Sequence, residues 1–219
     1  MNLFLAVLSA VFSLVTAITF WLSRSAFRSF PLNILFLVII LSGVTDALST
    51  TMAFYKIPNI DLINVFFVVQ FTLLMLFLLS YYKHKLLLVC VYIIVLVIIA
   101  CSVFEIHDNF NQFKIASRSI SMQGLLITLL ALYILLNKTL DAKKFLTQDH
   151  EFWFISAIVL YFSLSTVYFV TAEMPLHDSK FIRNFTWFIN SISSIFSNIL
   201  YLIGLRCLRK HMKLSLQHT

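Results

Sequence analysis

Apolar residues along the chain gather into seven stretches, each near the ~20 residues a helix needs to cross a bilayer. They cover 3–22, 31–54, 61–81, 86–104, 119–137, 152–171 and 184–206, separated by short polar links such as "YKIPNID" and "YKHK". None of the links is long enough to fold as a domain. Pro31, Pro58 and Pro175 fall at span edges or in links, and Gly43, Gly124 and Gly204 are scattered. The helices are therefore expected to run mostly unbroken. The pattern predicts a single all-α domain over 1–219, a polytopic membrane protein built as a seven-transmembrane-helix bundle.

Two of the stretches carry a polar stripe. In span 7, Trp187, Asn190, Ser191, Ser194, Ser197, Asn198 and Tyr201 recur at i, i+3, i+4, i+7, i+10, i+11 and i+14, which is one helix face. The opposite face, Phe185, Ile189, Ile192, Phe196 and Leu200, is apolar and suits lipid. Span 2 repeats the pattern with Ser42, Thr45, Asp46, Ser49 and Thr50. Polar groups in hydrocarbon cost free energy unless satisfied, so both stripes are expected to turn toward each other and away from lipid. Asp46 is the only acidic residue well inside a span, and no span interior carries Lys or Arg. A carboxylate at mid-helix costs about 2.5–3.5 kcal/mol on insertion scales, and such groups usually mark a function.

Composition agrees with a membrane setting. Of 219 residues 61% are hydrophobic and 11% charged, against about 25% charged in a soluble domain. Mean hydropathy is +0.96. The net charge of +7 is spread through links and the C-terminal end, which reads as topology and argues against a nucleic-acid partner. Links 1, 3 and 5 with the tail hold 11 of the 16 Lys and Arg residues. The positive-inside rule then predicts the N-terminus outside and the C-terminus inside, in the cell inner (plasma) membrane. The tail "RCLRKHMKLSLQHT" can pair with anionic headgroups. The first apolar run has no basic residues before it and is read as a retained span rather than a cleaved signal. Trp153 and Trp187 sit near span ends as interface anchors.

Depth along the helices groups a candidate site. Asp46 lies about 22 Å from Pro31 at 1.5 Å per residue, in the outer third of its span. Gln123 and Asn190 fall at similar depth, and Gln70 and Tyr161 nearer the middle. Arg118 sits at an outer helix end. Asp46, Gln70, Gln123, Tyr161 and Asn190, rimmed by Arg118, are therefore expected to form an outward-facing polar pocket that binds a small-molecule ligand. The plainer reading of Ser191, Ser194, Ser197 and Asn198 is interhelical glue, at a mean of about 0.6 kcal/mol per contact.

Other chemistry is missing. The six histidines, His84, His107, His150, His177, His211 and His218, lie in links or the tail, so no intramembrane metal centre is expected. Cys90 and Cys101 share a span too far apart to bridge, and Cys207 stands alone, so free thiols are expected. HExxH, GxSxG and Walker motifs are absent, and span 7 has no lysine for a retinal Schiff base. No catalytic residues, metal or cofactors are predicted, and the chain does not read as an enzyme. A lipid-modifying enzyme using Asp46 would need a second catalytic group. Span 2, "FLVIILSGVTDALSTTMAFY", echoes span 6, "FISAIVLYFSLSTVYFVTAE", in its small polar residues. That echo would suit a three-plus-one-plus-three parallel repeat of the kind small transporters use.

The runs "HEFWFISAIVLYFSLSTVYFV", "TWFINSISSIFSNILYLIGLRCLRK", "INVFFVVQFTLLMLFLLSYYK" and "SRSISMQGLL" resemble a family of small, uncharacterised seven-span integral membrane proteins from Bacteroidota-type bacteria. The resemblance covers nearly the whole chain. It implies acidic residues in relatives where this chain has Gln70 and Gln123, and roles in signalling beside histidine kinases, but no activity. The reading that follows is a membrane sensor or signal-transducing subunit, receptor-like, with a signalling partner at the cytoplasmic side or in the membrane. The alternative is a small-solute or proton-coupled transporter.

Overall fold

The computed structural model describes residues 3–27, 29–82, 85–109, 115–140, 146–172 and 180–217. They form seven long helices: α1 (Leu3–Leu22), α2 (Phe30–Phe54), α3 (Ile60–Leu79), α4 (Lys85–Asn109), α5 (Ser117–Leu140), α6 (His150–Ala172) and α7 (Lys180–Gln217). All seven are long and apolar enough to cross a membrane, and no strand occurs among the described residues. This is a multi-pass membrane protein in contact with the lipid bilayer. The helices start and stop where the hydropathy breaks. Pro31 opens the first turn of α2, where its missing N–H costs nothing. Lys56 turns the chain with φ 57°, and Asn59 Nδ2 donates to the Ser49 carbonyl at 3.1 Å, tying the α2–α3 link down.

Two helices outrun their expected spans. α4 continues through Glu105, Ile106, His107 and Asp108 into the polar link. α7 is 38 residues long, roughly 57 Å at 1.5 Å per residue, and takes in the basic tail as far as Gln217. Leu205 just before the tail and Leu208 within it are buried, and Met212 packs on the core, while Arg206, Arg209 and Lys210 stay exposed. Burying one side of an amphipathic helix is what holds its polar turns in helical form.

Six helices close a ring in the order α1, α2, α3, α5, α6, α7 and back to α1. α4 lies outside it against α3 and α5, and is the least buried of the seven. α1–α3 and α5–α7 follow one another around the ring. Val7, Val11, Val15 and Ile18 mark the outer face of α1, which suits acyl chains. One half of the ring is packed solid: Phe20, Phe27, Leu35, Phe71, Leu74, Phe77, Phe154 and Ile158 are buried in a single cluster. Phe20 lies 6.0 Å from Phe154 and 5.3 Å from Phe27 between ring centres, in tilted pairs that suit aromatic quadrupoles. The end beyond this cluster, called the basic end here, carries Lys138 paired with Asp149 at 3.1 Å and with Glu151. Trp153 Nε1 donates to the Thr147 carbonyl there at 3.0 Å. The side chain of Trp187 lies outside the described residues.

Candidate functional site

Past the packed half small polar residues join the aromatics in the interior, and a cavity of about 40 Å³ opens. A single buried water needs about 10–15 Å³ by this measure, so the space holds about three. α2 supplies Ser42, Gly43 and Asp46, α3 supplies Gln70, α6 supplies Tyr161, and α7 supplies Ser194, Ser197, Asn198 and Tyr201. α1 adds Ser13. These residues fall near the middle of their helices, so the cavity sits at mid-depth, with Asp46 toward the α2–α3 link. The stripes of α2 and α7 do share this space. They do so across it, because α1 packs between the two helices.

Gly43 explains how α1 comes so near. A Cβ at that position would stand 2.7 Å from the Ala17 Cβ and 3.0 Å from the Ser13 carbonyl oxygen. With no side chain there, Ser13 reaches the cavity wall. Its hydroxyl faces the Asp46 carboxylate and accepts from Asn198 Nδ2 at 3.2 Å. That chain links α7, α1 and α2. Asn198 Nδ2 also donates to the Ser194 carbonyl at 2.8 Å. Across the cavity, Gln70 Nε2 donates to Ser42 Oγ at 3.3 Å, joining α3 to α2. Gln70 Oε1 is buried and has no partner. No Lys, Arg or His lines the cavity, so Asp46 faces its contents without a cationic side chain.

Of the expected pocket, the structure gathers Asp46, Gln70 and Tyr161. Asn190 is one step removed: Ser165 Oγ donates to Asn190 Oδ1 at 2.9 Å, and Ser165 lies beside Tyr161. Gln123 and Arg118 belong elsewhere, a correction to the grouping by depth. Gln123 Nε2 donates to Ser102 Oγ of α4 at 2.7 Å, so this face of α5 looks out toward α4 rather than into the ring. Arg118 is exposed, and its backbone N–H donates to Glu105 Oε1 at 3.3 Å. Glu105 also accepts from the Ser119 backbone N–H at 2.8 Å and from the Ser119 hydroxyl. Asn64 Oδ1 accepts from the Ala116 N–H at 3.1 Å. Together Glu105 and Asn64 satisfy the first amides of α5, which have no partners within their own helix.

Ser13 is the polar cavity residue missed in the sequence. Its signal was the recurrence of Ser9, Ser13, Thr16 and Phe20 along one side of α1, a weaker echo of the α2 and α7 stripes. The three cysteines are free, and no cluster able to hold a metal through His, Cys, Asp or Glu occurs among the described residues. No family model matches the chain, and no curated protein or solved structure matches it.

Proposed function

We propose that the protein is a membrane sensor, a signal-transducing subunit in which the content of the Asp46 cavity sets the packing of the ring and α7 carries that setting to the basic end. The observation behind this is the course of α7. It lines the cavity with Ser194, Ser197 and Asn198 and continues as one helix to Gln217. A rotation or tilt at the cavity must therefore move Arg206, Arg209 and Lys210. A partner at the inner face, or the anionic inner leaflet of the plasma membrane, would read it. Orientation with that end in the cytoplasm follows from the bias of lysine and arginine. The cavity volume limits the occupant to something of water or ion scale, which excludes a drug-sized ligand in this conformation. Such an occupant shifts the bundle only as far as it prefers one packing over the other. The resemblance to small seven-span bacterial proteins is part of this proposal and lends it no activity.

The test is a distance measurement. Spin labels at Arg24→Cys and His211→Cys, in a chain whose native cysteines are replaced, report the end of α7 against the α1–α2 link. Asp46→Asn is expected to change the distance distribution by about 2 Å or more, in the range of known interface helix shifts. Identical distributions with and without the substitution would overturn the reading. A second reading, a solute or proton-coupled transporter, draws on the polar cavity at mid-depth, where secondary transporters hold substrate. Uptake into proteoliposomes driven by a pH gradient would move the assignment there.

A further inference from the structure

The lining chemistry of the cavity narrows its occupant further. Gln70 gives one amide proton to Ser42, and Asn198 gives its protons to Ser13 and the Ser194 carbonyl. The oxygens open to an occupant are the Asp46 carboxylate, Gln70 Oε1 and the hydroxyls of Ser13, Ser42, Tyr161 and Tyr201. Gln70 is 6% exposed and lines the cavity, yet this acceptor has no donor. Carboxylate, amide and hydroxyl oxygens are the ligands that hard cations take. Charge selects among cations. One carboxylate with no basic residue in the lining is neutralised by one positive charge, whereas a divalent ion would leave an unbalanced charge within the bilayer. Size selects again, because about 40 Å³ admits a dehydrated alkali cation with a water or two and no organic solute. A proton on Asp46 would also restore neutrality, but it would bring no positive charge to Gln70 Oε1.

We propose that the cavity is a binding site for a small monovalent cation of the sodium class, with Asp46 as its charged ligand and Gln70 Oε1, Ser13 Oγ and Ser42 Oγ as neutral ones. The proposal rests on the reading of this cavity as the sensing site and names its ligand class. Sodium occupancy draws α1, α2 and α3 together around one ion.

The full-length protein in nanodiscs is melted at pH 8 in choline chloride, with sodium chloride replacing it at constant ionic strength. At saturation sodium is expected to raise the Tm by roughly 5–10 °C, the shift for a ligand near a hundred times its Kd on a chain of this size. Asp46→Asn is expected to abolish the shift. Gln70→Leu and Ser42→Ala are expected to raise the half-saturating sodium about tenfold, which keeps the test open should Asp46→Asn not fold. Glu105→Gln, outside the cavity, is expected to retain the shift. A wild type indifferent to sodium, or a shift that survives Asp46→Asn, would overturn the cation site. If sodium has no effect while Asp46→Asn still moves α7, the cation assignment fails and the sensor stands. If sodium stabilises the protein and α7 moves in no condition, the site stands and the sensor fails.

Discussion

Glu105 and Asp46 both project from long apolar helices, yet one is surrounded by donors and the other is not. Glu105 of α4 accepts from two backbone amides and a hydroxyl at the start of α5, where the helix dipole also favours negative charge. Asp46 faces the Ser13 hydroxyl and otherwise meets a cavity whose other polar groups include an unpartnered amide oxygen. A satisfied carboxylate fastens helices. An incompletely satisfied one, kept at mid-depth despite its cost, has capacity left for something that comes and goes. The fully packed aromatic half beneath the cavity sharpens the contrast, since large side chains there leave no such space.

Removing the fastening acid should hurt most. Glu105→Ala is expected to cost about 2 kcal/mol, because it strips the donors at the start of α5 of their acceptor. Unfolding in an SDS titration measures this, and Glu105→Gln should recover roughly half; a larger loss for Asp46→Ala would reverse the comparison. Next comes Gly43→Ala. The added methyl collides with Ala17, overpacking by about 1–3 kcal/mol, while the gain in helix propensity returns about 1 kcal/mol. A net loss near 1 kcal/mol in the same titration is expected, and an unchanged midpoint would mean that α1 and α2 do not approach so closely. Ser102→Ala should cost about 1 kcal/mol by leaving the Gln123 amide without its acceptor, and pairing it with Gln123→Leu should return most of the loss. The smallest effect is expected from Asp46→Asn in choline buffer, within about 0.5 kcal/mol of wild type, because a weaker contact with Ser13 is offset by the lost burial of charge.

The spans were legible because hydrocarbon allows so few solutions. A crossing segment must satisfy its backbone within one helix, so the length of each apolar run nearly dictates the element. The extensions of α4 and α7 were not legible that way, since Glu105–Asp108 and Arg209–Lys210 are too polar for a hydropathy criterion. The stripes of α2 and α7 pointed at the cavity correctly, as periodicity reveals a face. It does not reveal which neighbour that face meets. Gln70 and Gln123 look alike in sequence, and rotation about the helix axis sends one into the ring and the other toward α4. Arg118 was placed by depth alone, and depth says nothing of its position around the ring.

The contrast between the two acids can be read on the carboxylates themselves. Infrared difference spectra, taken as choline is exchanged for sodium at constant pH, show which carboxylate changes environment. A difference band in the carboxylate stretching region that persists in Glu105→Gln and disappears in Asp46→Asn is the predicted result. A band that survives Asp46→Asn, or one lost with Glu105→Gln, would contradict the account.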